Sequence, residues 1–84
     1  MNNDTAVVIF KITKRNVSVD LELPLSISAN DLVTSLNSAY DLGIDTSNVQ
    51  QCYLKAENPI ALLKGNKLLS EFGVRNGSII YYTE

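Results

Sequence analysis

The chain has 84 residues, 45% hydrophobic and 19% charged, with 7 basic and 9 acidic side chains and a formal net charge of −2. That length and balance describe one small soluble globular domain. They exclude a two-domain enzyme, a disordered tail and the basic excess that phosphate neutralisation on a nucleic acid demands. With no histidine and a single cysteine, Cys52, the chain also lacks the means for an internal disulfide, a zinc site or Ser/Cys–His catalysis.

Residues 1 to 5, Met-Asn-Asn-Asp-Thr, are polar and read as a frayed start, so the domain is expected over residues 6 to 84. Ala6 to Thr13 is rich in β-branched and aromatic residues and reads as a strand with Val8, Phe10 and Ile12 on one face. After Lys14-Arg15-Asn16, the alternation of Val17, Val19, Leu21 and Leu23 with Ser18, Asp20 and Glu22 predicts a half-buried strand. The short connection makes the two a hairpin, and Pro24 ends it.

A helix is expected near Ala29–Leu42. Ser28 can cap it, Asp31 follows three residues later, and Ile27 and Leu32 occupy the staple positions. Leu32, Val33, Leu36, Ala39 and Tyr40 form one apolar stripe, Asn30, Thr34, Asn37, Ser38 and Asp41 face water, and Gly43 suits the left-handed position past the end. About 14 residues give a rod about 21 Å long, enough to cover one face of a small sheet.

Residues 45 to 48 read as a loop and Gln50 to Ala56 as a third strand whose register is open, because Cys52, Leu54 and Ala56 compete with Tyr53 for the inward face. Glu57-Asn58-Pro59 is a turn, Ile60 to Leu63 a short strand, and Lys64 to Lys67 another turn. Leu68 to Val74 suits a single helical turn burying Leu69, Phe72 and Val74. Arg75-Asn76-Gly77-Ser78 is a tight turn, and Ile79 to Thr83 closes the chain as a strand.

No constellation here carries catalysis. Asp20 and Glu22 alternate with leucines and are the solvated side of a hairpin, not an acid/base pair. Gly65, Gly73 and Gly77 stand in turns without the Gly-Lys-Ser/Thr of a phosphate loop. Cys52 reads as a small apolar filler rather than a redox group, and Lys11, Lys14 and Arg15 as solubility charge rather than a docking patch. No cofactor, metal or small-molecule substrate is expected. Neither a secretory leader nor the roughly 18 apolar residues of a membrane span is present, so a cytoplasmic protein that does not insert in membranes is expected.

The element order predicts an α+β fold, a mixed sheet with one amphipathic helix packed across it, on the β-grasp plan. The segment Leu68-Leu69-Ser70-Glu71-Phe72-Gly73-Val74 leading through Arg75-Asn76-Gly77-Ser78 into Ile79-Ile80 resembles the closing segment of ubiquitin-like domains. Gln50-Gln51-Cys52-Tyr53-Leu54 resembles their strand that opens with two glutamines, and Gly65-Asn66-Lys67-Leu68 the turn that follows. Within that superfamily, Asp20-Leu21-Glu22-Leu23 before the helix and Gly73-Val74-Arg75-Asn76-Gly77-Ser78 near the end resemble the YukD/EsaB group of small bacterial ubiquitin-like proteins.

That resemblance implies a non-enzymatic protein-interaction module, an accessory or regulatory component of a type VII (WXG100/ESX-like) secretion system in a Gram-positive bacterium. Its expected partners are cytosolic parts of the membrane-embedded machinery. The alternative, a ubiquitin-like modifier or sulfur carrier, needs a flexible Gly-Gly terminus, whereas the sequence closes on Tyr81-Tyr82-Thr83-Glu84. The resemblance also maps the ubiquitin contact surface onto Leu54 and Tyr81. With Tyr53, Ile80 and Tyr82 inward, Leu54, Ile79 and Tyr81 form an outward patch of the kind interfaces use; the opposite register of the third strand buries Leu54 and exposes Tyr53.

Overall fold

In the computed structural model, which describes residues 4–83, strands β1 (Thr5–Ile12) and β2 (Val17–Pro24) form an antiparallel hairpin with Phe10 opposite Val19. β1 opens inside the segment read as frayed. Thr5 pairs with Pro24 and its hydroxyl donates to Glu22 Oε2 at 2.8 Å, while residues 1–3 of that segment lie outside the described residues. The hairpin turns through a short 3-10 segment, Thr13–Arg15, closed by Asn16 at φ 57°, a conformation asparagine adopts more readily than most residues.

Helix α1 (Ala29–Tyr40) starts where its signals predict: Asp31 N–H donates to Ser28 Oγ at 3.1 Å. Two more amide donors of its first turn are taken by a neighbouring loop, Ala29 N–H by the Lys67 carbonyl and Asn30 N–H by the Gly65 carbonyl, each at 3.0 Å. The helix stops two residues short of the expected end. Asp41 takes the left-handed position that closes the helix, at φ 53°, while Gly43, also left-handed at φ 77°, lies two residues beyond it. Leu42 N–H reaches back to the Asn37 carbonyl at 3.2 Å, the six-to-one bond of a Schellman ending.

The early stop has two causes. Leu42 drops into the core at 3% exposure, and Arg15, from the hairpin turn, donates to the carbonyls of Tyr40 and Asp41 at 2.6 and 2.9 Å. A cation is thus held at the negative end of the helix dipole. Two faces of α1 also differ from expectation. Ala39 is exposed, while Asn30 and Asn37 are half-buried: Asn30 Oδ1 accepts from Gly65 N–H at 3.1 Å, and Asn37 bonds Ile44.

Three short strands complete the sheet: β3 (Leu54–Glu57), β4 (Ala61–Leu63) and β5 (Ile79–Tyr82). Strand order is β2-β1-β5-β3-β4; β5 runs parallel to β1 and antiparallel to β3. β3 is shorter than expected because residues 46 to 51 are taken up by turns held locally, Gln51 N–H and Cys52 N–H both donating to the Asn48 carbonyl. Ile60, expected at the head of β4, instead stands in the turn at 91% exposure.

Between β4 and β5 a 3-10 turn (Leu69–Phe72) buries Leu69, and Val74 follows it into the core. Phe72, expected inside, is half-buried with Lys67 Nζ 4.9 Å from its ring centre. Ser78, the buried polar side chain of the core, is fully satisfied: its hydroxyl donates to the Asn58 carbonyl at 2.5 Å and accepts from Arg75 N–H at 3.0 Å.

The core lies between the inner sheet face and α1. Val8, Phe10, Ile12, Leu54, Leu63 and Ile80 meet Ala29, Leu32, Val33 and Leu36, all buried. Phe10 tilts against the Tyr40 ring, centres 5.1 Å apart. Each fully buried aliphatic side chain contributes about 1.5–3 kcal/mol, so this single layer of contacts holds the α+β arrangement together.

Candidate protein-docking face

Only one face of the sheet is covered by α1. On the other, alternation along the strands and the register between them set the side chains in rows. One row runs Asp20, Ile9, Ile79, Glu57 from β2 to β3; the next runs Ser18, Lys11, Tyr81, Lys55, Leu62 from β2 to β4. Val7, opposite Glu22, lies beyond the first row.

The apolar members of this face form a stripe. Ile9, Ile79 and Tyr81 are half-buried by their neighbours, while Val7 and Leu62 are 47% and 43% exposed. Exposed aliphatic and aromatic side chains bordered by charge are the usual composition of a protein-binding surface. Beside Tyr81, a shallow groove of about 300 Å³ opens between Tyr53, Lys55 and Thr83.

The structure corrects one of the three expected contact residues. Leu54 is 1% exposed and points at α1, with Cys52 at 6% and Ala56 at 2% beside it; Tyr53 and Lys55 take the outward positions. Pairing decides this. Ala56 is locked opposite the buried Ile80, and Leu54 opposite the buried Leu63, so Lys55 must share the outer face with Tyr81. Ile79 and Tyr81 lie on the outer face as expected. Ile9, Val7 and Lys55 were missed; the signal for the first two was the same alternation that sent Val8 and Phe10 inward.

Two other expectations meet specific contacts. The Cys52 thiol is buried and lies 3.7 Å from Asn30 Oδ1, as a small core side chain with a weak donor does. Of the three basic residues near the hairpin, Arg15 serves the helix end, while Lys11 belongs to the outer face. The Asp45 carboxyl is held below its ordinary range. The Ser47 hydroxyl, at 2.6 Å, and the Ser47 N–H, at 3.1 Å, both donate to it and favour the charged form. It sits in the loop that follows α1.

Residues 7–81 match the family model described as WXG100 protein secretion system (Wss), protein YukD. No curated protein matches the chain. Among solved structures, the ubiquitin-like domain of tubulin-binding cofactor B superposes with a TM-score of 0.74 at 20% identity, over 96% of this chain and 90% of that one. The C-terminal ubiquitin-like domain of mouse tubulin-specific chaperone e gives 0.72 at 13% identity, over 99% and 89%. The UBL domain of Plasmodium falciparum Dsk2 gives 0.59 at 19% identity, over 92% and 96%. At these identities the likeness is one of fold, the ubiquitin-like β-grasp.

Proposed function

The chain belongs to the YukD family, linked to the WXG100 secretion system, and from that premise we propose that it is a non-enzymatic docking module of the machinery. It binds a cytosolic part of a membrane-embedded component through the outer sheet face and acts there as an accessory or regulator of export, without being conjugated to its partner. The observation that supports this most is the stripe of Val7, Ile9, Ile79 and Tyr81 on the sheet face opposite the one that packs on α1 and the core. Truncating a half-exposed side chain there removes contact area for a partner while leaving the core intact.

The test is export of small helical-hairpin WXG100-type substrates from cells carrying Ile9→Ser with Tyr81→Ala in place of the natural chain. Reduced export with unchanged protein level and circular dichroism supports the reading. Undiminished export, or undiminished export after deletion of the gene, overturns it. Mass spectrometry of the chain from the same cells tests the non-covalent part, since a protein-linked or thiocarboxylated form would show a modifier or sulfur carrier instead.

A further inference from the structure

The outer face is not uniformly charged, and its polarity runs along the strands. At one end stand Asp20, Glu22 and Glu57, flanking Val7, Ile9 and Ile79; at the other, Lys11 and Lys55 stand on either side of Tyr81. Acid and base are therefore sorted to opposite ends of one apolar stripe. From this we infer that the face accepts an amphipathic helix of a partner protein, laid along the strands, with its acidic end over Tyr81 and its basic end over Ile79. The inference rests on the docking reading above and adds the partner's chemistry and orientation.

A helix follows from hydrogen-bond accounting. β1, β5 and β3 are each paired on both sides, so a segment lying on their face meets no free backbone donor or acceptor and must satisfy its own. An extended segment would have to add to β2 or β4 at the sheet edges, away from the stripe. From Val7 to Lys11 the stripe spans about 13 Å at 3.3 Å per residue, which matches about nine residues of helix at 1.5 Å each. The inner face already shows the packing, with α1 laying Leu32, Val33 and Leu36 on the same sheet.

The charges decide direction through the sum of several weak pairs. Exposed ion pairs contribute little each, but a helix reversed on the stripe places acid on Glu57 and base on Lys55, turning every attraction into repulsion. A patch of a few side chains a side is below the size of a stable dimer interface, which suits a transient partner rather than a permanent second copy.

The experiment titrates the isotope-labelled full chain, followed by amide NMR, with three synthetic helical peptides sharing one apolar stripe. One carries Glu at its first turn and Lys at its last, one Glu at both, one Lys at both. The two-signed peptide is expected to bind about ten-fold tighter than either other, with shifts centred on Ile9, Ile79 and Tyr81. In the Lys11→Glu, Lys55→Glu chain the preference should pass to the peptide with Lys at both ends. Tightest binding of the Lys peptide to the natural chain would mean that net charge alone acts, and would overturn the inference. So would shifts confined to β2 or α1, absence of shifts with all three peptides, or a face occupied by a second copy in sedimentation. If the export defect of the Ile9, Tyr81 variant stands while the peptides show no preference, the docking reading survives and the partner chemistry proposed here fails.

Discussion

Asn37 holds Ile44 by both of its main-chain groups: Nδ2 donates to the Ile44 carbonyl at 3.0 Å and Oδ1 accepts from the Ile44 N–H at 2.9 Å. A side chain on the last turns of the helix thereby stands in for a β-ladder partner and pins the chain leaving the helix. Ile44 can then drop its side chain into the core at 8% exposure. Replacing Asn37 by Ala leaves both groups of a largely buried residue unpaired. The expected cost is about 1–3 kcal/mol in urea unfolding, with faster amide exchange at Ile44 as the local signature.

Arg15 ties the hairpin turn to the far end of α1 through two charge-assisted bonds to exposed carbonyls. Arg15→Ala is expected to lower stability by about 1 kcal/mol. Arg15→Lys should recover only part of that, since an ammonium cannot grip two carbonyls as a planar fork does. Thermal unfolding of the two variants at low and high salt checks both statements, the gap from the natural chain narrowing as salt rises.

Leu54 and Tyr81 make opposite predictions. Leu54→Ala opens a cavity under α1 and should cost about 2–5 kcal/mol. Tyr81→Ala removes a half-buried ring from the outer face and should cost about 1 kcal/mol or less, while weakening partner capture. Urea midpoints of the two variants, measured side by side, decide the strand's register in solution: equal losses would contradict it.

Asp45 links the loop after α1 to acid. Its carboxyl, held below the ordinary value of 3.8 by the Ser47 hydroxyl and N–H, contributes to the folded state fully above that value, and the contribution is lost as pH falls through the depressed folded value. Carbon-detected NMR titration should find Asp45 titrating below an unperturbed aspartate. In Ser47→Ala it should move back up, since the largest cause has gone. An unmoved titration would show that the Ser47 hydroxyl is not that cause.

The elements that patterning resolves are those whose local chemistry admits one solution. β2 alternates without exception, so its inward face could only be Val17, Val19, Leu21 and Leu23. Ser28 and Asp31 mark a helix start by capping chemistry contained within four residues. The third strand is different. Cys52-Tyr53-Leu54-Lys55-Ala56 offers apolar side chains in both phases, and a slip of one residue exchanges the faces at little local cost. Only the pairing of Ala56 with Ile80 and of Leu54 with Leu63 selects the phase, and with it Lys55 rather than Leu54 as the neighbour of Tyr81.

By itself, then, the amino-acid order determined the five strands and the one α-helix, the β-grasp plan and the inward residues of β1, β2 and most of α1, because hydrophobic period and turn chemistry act over a few neighbouring residues. The 3-10 segment Thr13–Arg15 was not among those elements. Tertiary structure decided where α1 ends, through the burial of Leu42 and the reach of Arg15 across some 25 residues to the Tyr40 carbonyl, and how the outer face is composed. That face joins residues from five strands. Its polarity, acids at one end and lysines at the other, exists only once β5 lies between β1 and β3, since long-range pairing sets which charges stand beside which apolar side chains.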